Sequence, residues 1–414
     1  MRDRADKTAA PRRRFGAGDM AFYGLTVGAV VLGWQIAIQP LAQRAPVEVA
    51  IRLAPASPQV LRRAAEAELA AGRDGNAAAL AREALSRAPF DVKSLRVVGL
   101  TEAGAGRTDR ADELLTLAGN WSLRDDPTHA WLIEHRLRRG DYASAFAHAD
   151  TLVRRRQDIQ PEVFRLFTLA GVEDSRRSLP VTASLLAANP PWRQAYFDSL
   201  SETPEDLQVR MNLAILLQAG RTPLSNAELQ GLYRALLRKG LIEGVRTVRG
   251  RLNRPPAGAA VTNGDFADTT SPEPFQWKLA PKAGIVAEIV ADDLRPGNPA
   301  LRVDYDGYAT GTIAEQMVFL LPGSYMFSAQ AKVEAGDPGA RLEWTLTCTA
   351  GSGTTTSMTA GPPTPAPQGW TRLSGRFEIS ERCPVQWLRL ETRATDRRSP
   401  TAVWYDQIAI SPTG

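Results

Sequence analysis

Lysine is scarce in this 414-residue chain: Lys7, Lys93, Lys239, Lys278, Lys282 and Lys332 are the only ones among 50 basic residues, the rest being arginine. Heavy arginine and alanine usage of this kind points to GC-rich bacterial coding rather than to a binding surface. Excess charge is small as well. Of the net +5, the first 20 residues supply six positive and three negative side chains, which leaves about +2 for everything after them, so no nucleic-acid surface is implied. There are three histidines, His129, His135 and His148. Their spacing does not gather a ligand set on one helical face, and they read as surface or interhelical residues. Several catalytic signatures are missing. No Gly-x-Ser-x-Gly elbow, phosphate-cradling Gly-x-x-x-x-Gly-Lys loop or His-Glu-x-x-His helix occurs. Carboxylate pairs such as Asp292–Asp293 and Glu378 with Glu381 do not define a glycosidase, which needs two carboxylates at a set separation across a pocket.

Only two cysteines are present, Cys348 and Cys383, both late in the chain. A disulfide in an oxidising compartment would close a loop of about 35 residues and stabilise the last domain by roughly 4 kcal/mol on the chain-entropy model. A pair of buried free thiols is the other reading. Zinc is disfavoured because two sulfurs lack further Cys or His partners.

Long apolar runs are also absent, with one exception. Residues 21–38, AFYGLTVGAVVLGWQIAI, carry no charge and follow Arg12-Arg13-Arg14. Six basic residues precede the run and only Arg44 and Arg52 follow soon after, so the sequence predicts a signal anchor over 21–40, a cytoplasmic tail over 1–20 and a bulk on the far side of a bacterial inner membrane, in the periplasm. A cleaved signal peptide is the competing reading. The long basic region, the length of the run and the lack of a clean Ala-x-Ala exit weigh against it.

From about Pro58 to Asn253 short amphipathic segments alternate with Gly, Asp and Pro. Gly72, Gly106 and Gly140 recur every 34 residues, each followed by a polar turn, and Ala77, Ala111 and Ala145 recur at the same interval. This register resembles tetratricopeptide repeats, which implies helical hairpins stacked into a curved solenoid with a groove for a protein partner. Three repeats cover about 58–157. Beyond Gln157, Pro180, Pro190-Pro191 and Pro223 disturb the spacing, although 160–171, 191–201, 204–219, 226–239 and 241–252 still read as helices. Trp131, Arg136, Tyr142 and Phe146 are candidates for the groove, with simple packing as the alternative. An unrelated helical bundle would also fit the region 55–253.

A linker at 254–259, Arg-Pro-Pro-Ala-Gly-Ala, ends the helical part. Period-two alternation then takes over. Leu301, Val303 and Tyr305, then Tyr325 to Val333, then Leu342 to Cys348 each share a face, and strands follow near 371–379, 385–393 and 402–410. Many short strands without helices indicate a sandwich over 260–412. The stretch 351–369, rich in Gly, Thr and Pro, reads as a long mobile loop.

Asn263-Gly264-Asp265-Phe266, Pro274-Phe275-x-Trp277, Leu320-Leu321-Pro322-Gly323-Ser324-Tyr325 and Val403-Trp404-Tyr405-Asp406 together resemble the jelly roll of carbohydrate-binding modules. The resemblance implies that Asp265 and Asp406 could hold a structural calcium; otherwise no cofactor is expected. A sugar site needs an aromatic face edged by polar groups, and Trp387, Arg389 and Glu391 alternate away from Leu388 and Leu390 to form such a strip, unless Trp387 lies on the core side. The fold class expected is multidomain: a transmembrane helix, an all-α tetratricopeptide-like solenoid and an all-β jelly roll. The expected function is a non-enzymatic membrane-anchored scaffold that binds protein through the repeats and polysaccharide through the sandwich, in surface polysaccharide assembly or export. A glycan-modifying enzyme with a catalytic jelly roll and a scaffold of a secretion or pilus apparatus are the alternatives.

Overall fold

The computed structural model describes residues 40–254, 260–268, 270–292, 295–336, 342–350, 353–360, 369–392 and 400–413. The basic tail, the whole apolar run 21–38 and residues 255–259 of the linker lie outside the described residues. No helix among the described residues is long and apolar enough to cross a membrane. The chain is helical first and a β-sandwich after, and it divides into two compact units at Arg155 and Arg156.

In the first unit a short helix α1 (Val47–Leu53) precedes three helical hairpins: α2 (Pro58–Ala70) with α3 (Asp74–Arg87), α4 (Val92–Gly104) with α5 (Thr108–Trp121), and α6 (Asp126–Arg138) with α7 (Tyr142–Val153). First helices start at 58, 92 and 126 and second helices at 74, 108 and 142, so both keep the step that the glycines show. The glycines mark the turns because Gly72, Gly106 and Gly140 have φ of 70°, 77° and 67°, where a side chain is strained. Each turn is tied twice. The backbone N–H groups of Arg73, Arg107 and Asp141 donate to the carbonyls of Glu68, Glu102 and Arg136. The same three pairs are ion-paired through their side chains, the third with its charges exchanged. Ala77, Ala111 and Ala145 are fully buried, where second helices pack closely. Successive hairpins are joined by Arg62 to Asp91 at 3.5 Å and by Arg96 to Asp125, with Arg96 also reaching Glu66.

The second unit begins with α8 (Gln160–Glu173), α9 (Ser175–Ala187), α10 (Arg193–Ser199), α11 (Pro204–Gln218), α12 (Asn226–Arg238) and α13 (Ile242–Leu252). Pro180, read from the sequence as a disturbance, lies inside α9. Burial of Leu179, Thr182, Ala183 and Leu186 on one face holds that helix through the lost backbone bond. A buried bidentate pair joins α10 to α12, with Arg193 Nε and Nη2 at 2.9 and 3.0 Å from Glu228, whose carboxylate also closes a capping box with Ser225. Gly240, with φ 68°, repeats between α12 and α13 the hairpin turn of the first unit.

Ten strands follow: β1 (Lys278–Leu279), β2 (Ile285–Asp292), β3 (Arg295–Tyr305), β4 (Gly311–Val318), β5 (Gly323–Ala335), β6 (Leu342–Ala350), β7 (Gly353–Ala360), β8 (Thr371–Ile379), β9 (Gln386–Thr392) and β10 (Thr401–Pro412). They form two antiparallel five-stranded sheets, ordered β1-β4-β9-β6-β7 and β2-β3-β10-β5-β8. The core between them centres on Trp344, packed against Trp277, Phe327 and Tyr405. The loop expected over 351–369 is corrected in part: Gly353–Ala360 is a strand paired to β6. Its Thr-rich sequence suits a pleated surface better than the flanking glycines suggest.

Two buried glutamines extend the first sheet past its strands. Gln316 exchanges hydrogen bonds with both backbone groups of Thr262, and Gln386 does the same with Leu320. Each amide thereby meets the demand of buried polar groups for partners. Within the second unit α12 and α13 are seated on this sandwich through an aromatic seam: Tyr233 meets Phe275 edge-on at 5.2 Å, and the Arg249 guanidinium lies 4.6 Å from the Phe275 ring centre.

Candidate functional site

Strand β9 alternates strictly. Gln386, Leu388, Leu390 and Thr392 are buried, while Trp387, Arg389 and Glu391 are half-buried and point away from the core. All three residues singled out from the sequence therefore share the outer face of the first sheet. Register adds their neighbours, because Cα partners across a ladder point to the same side. Met317 and Thr347 flank Trp387, Glu315 and Thr345 flank Arg389, and Thr312 and Glu343 flank Glu391. Lys278 of β1 stands opposite Glu315.

Only part of this face is open. Thr345, Thr347, Glu343 and Met317 are at most 8% exposed. Glu391 accepts hydrogen bonds from Thr345 at 3.0 Å and Thr312 at 3.3 Å. Arg389 donates to Glu315 at 3.1 Å and to Thr347 at 3.3 Å, and its guanidinium lies 5.6 Å from the Trp387 ring centre. Glu315 also accepts from Lys278 at 3.0 Å, so one carboxylate sits between two cations.

What remains open is a cleft of about 300 Å³ between this face and helix α12. Trp387, Lys278 and Glu315 form its sheet side, and Gln230, Arg234 and Leu237 its helix side. The Glu273–Pro274 turn completes the lining. Sequence reading found Trp387 and missed the rest of the cleft. Arg234 and Gln230 face a strand more than 150 positions away in the chain, and no local pattern announces that. Arg389 and Glu391 share the face but do not line the cleft.

Cys348 and Cys383 form a disulfide with Cα atoms 5.3 Å apart. Cys348 pairs in register with Gln386, so the bond fastens the chain just ahead of Trp387.

Asp265 and Asp406 have different surroundings. Asp265 is exposed and accepts from Ala267 N–H at 3.4 Å. Asp406 is fully buried on the outer side of the second sheet, where one carboxylate oxygen accepts from Asn298 at 2.9 Å and the other from Gln407 N–H at 2.7 Å. Oxygens already facing donors are poor calcium ligands, and no group of three His, Cys, Asp or Glu residues gathers among the described residues. The pair does not fit a calcium centre as placed.

Of the proposed groove residues, Phe146 is core, Tyr142 packs on it at 5.7 Å, Trp131 stacks on His135 at 4.6 Å and Arg136 is tied to Asp112 and Thr116. His129 and His148 meet between helices, with their Nδ1 atoms 3.0 Å apart.

The class defined by these observations is a helical protein ending in an antiparallel β-sandwich, with an aromatic-polar cleft where helix meets sheet. No family model and no curated protein matches the chain. Similar solved structures are carbohydrate-binding modules. One is the CBM22-1 xylan-binding domain from Paenibacillus barcinonensis (21% identity, 34% of this chain and 86% of that one, TM-score 0.26). Another is a CBM4 structure (15%, 37% and 99%, 0.28), and a third is TmCBM61 in complex with β-1,4-galactotriose (14%, 38% and 99%, 0.25). Each spans about a third of the chain.

Proposed function

We propose that this chain is a non-enzymatic, membrane-tethered periplasmic scaffold that binds glycan at the Trp387 cleft and a protein partner on its tetratricopeptide-like helical repeats, in the assembly or export of a surface polysaccharide. The observation that carries the glycan half is the cleft. A half-buried indole is edged by Lys278, Glu315, Arg234 and Gln230 in a volume suited to one or two sugar rings. Sugar rings present apolar C–H faces rimmed by hydroxyls, and the cleft offers matching apolar surface and polar edge. A protein partner is supported by exposed apolar surface on the first unit: Phe90 is 80% exposed, Leu123 61% and Trp121 42%, with the two rings 5.5 Å apart.

Membrane tethering rests on the apolar run 21–38 and the arginines before it. The test is a glycan array probed with the purified full-length chain, with and without calcium, beside Trp387→Ala. Saturable binding that weakens roughly tenfold or more in the variant is expected, from the loss of ring stacking. Calcium should make no difference, given the surroundings of Asp265 and Asp406. A folded chain that binds no glycan would turn the sandwich into a protein-docking domain.

A further inference from the structure

Charge in the cleft is unevenly satisfied. Glu315 is held by Lys278 and Arg389 together. Arg234, exposed on α12, makes no hydrogen bond or ion pair among the described residues although it lines the same cleft. In the cleft lining two cations, Lys278 and Arg234, accompany two carboxylates, Glu315 and Glu273, and the cation left without an ion pair is the one on the helix side. The helix that carries it is fixed: Tyr233, next to Arg234, is fully buried against Phe275, and Arg246 of α13 donates to the Pro384 carbonyl at 2.8 Å. On the β6 side of the same face Thr345, Thr347 and Glu343 are buried and offer no surface.

We propose that the cleft takes the acidic end of a saccharide, one or two rings long, with a uronic acid or similarly carboxylated sugar against Trp387 and its carboxylate paired to Arg234. Guanidinium and carboxylate match geometrically and make charge-assisted bonds stronger than any a sugar hydroxyl offers. Glu273 repels a second carboxylate, so one acid group is accepted rather than a continuous polyanion. With Thr345, Thr347 and Glu343 buried, contact is confined to the rings seated at Trp387, which makes this an end-reading site.

This inference rests on the glycan-binding reading above, and the experiment separates the two. Neutral oligosaccharides ending in a single galacturonic, glucuronic or mannuronic acid, each paired with its carboxyl-reduced counterpart of identical linkage, are titrated against the full-length chain, Arg234→Gln and Trp387→Ala. The acidic member of a pair should bind at least about tenfold tighter than the reduced one, a preference that shrinks as salt screens the pair. Arg234→Gln should erase the preference while keeping the affinity for the reduced sugar, and Trp387→Ala should weaken both. Equal binding of acidic and reduced members, or a preference that survives Arg234→Gln, overturns the acidic-end proposal and leaves glycan binding standing. Absence of binding by every pair overturns the acidic-end proposal, and absence of binding across the glycan array as well overturns both.

Discussion

Arg96 shows how much one side chain carries in the helical array. It bridges Glu66 and Asp125 with only 11% of its side chain exposed, and Asp125 is 5% exposed. Removing one partner of a buried pair strands the other. Arg96→Ala should therefore lower stability by about 3 kcal/mol, read by chemical denaturation of the full chain. The histidine pair makes a second prediction at this scale. His148 is pushed down to about 4, first by burial and then by neighbouring His129, which burial lowers as well, among Asp112, Asp125, Asp126, Asp141, Arg136 and Arg155. An unfolded histidine takes up its proton near 6.5, so the unfolded state binds more protons than the folded one between 6.5 and about 4. Stability should fall as pH drops through that window and stay flat above it. His148→Gln should flatten the acid side of a thermal-denaturation profile. Sequence reading placed the histidines between helices or on the surface, yet their mutual contact depends on how α6 packs on α7, which spacing alone does not give.

Among elements, the hairpin turn is the most legible feature, and its physics explains why. A positive-φ turn demands glycine at one position, and close helix packing demands alanine at another, so Gly72, Gly106 and Gly140 and Ala77, Ala111 and Ala145 expose the period directly. The ion pairs across those turns keep the same period at 68/73, 102/107 and 136/141, but the exchanged charges of the third pair hide it from a search for identical residues. Strand β7 was illegible for a different reason, since glycines at both ends of a threonine run look like a loop until β6 supplies a partner. Closure of the sandwich gives a sharp test. A Cβ at Gly264 would lie 1.9 Å from the Ile408 carbonyl oxygen, while Ile408 N–H donates to the Gly264 carbonyl at 2.8 Å. Gly264→Ala should cost about 3 kcal/mol, seen as a lowered unfolding midpoint. Reducing the Cys348–Cys383 bond should destabilise the second unit by up to about 4 kcal/mol, measured by unfolding with and without reductant.

At the scale of the whole molecule, the order of helices before sandwich could be read from the change in period at the 254–259 linker, whereas the division into units could not. It falls at Arg155 and Arg156, near the place where the 34-residue register decays, and leaves α8 to α13 in one compact body with the sandwich. That body creates the cleft, since its two sides come from α12 and from strands far along the chain. Sequence alternation left Trp387 open to either face of the sheet; in the fold it lies on the outer one, and tertiary packing chose the residues opposite it.

The most direct test of the account is hydrogen–deuterium exchange on the full-length chain with and without a glycan selected on the array. Simultaneous slowing of exchange in 226–238 and 386–392, with the helical hairpins unchanged, is the result predicted for a ligand seated between α12 and β9. Protection confined to the second sheet or to the hairpins would contradict it and move the binding site away from Trp387.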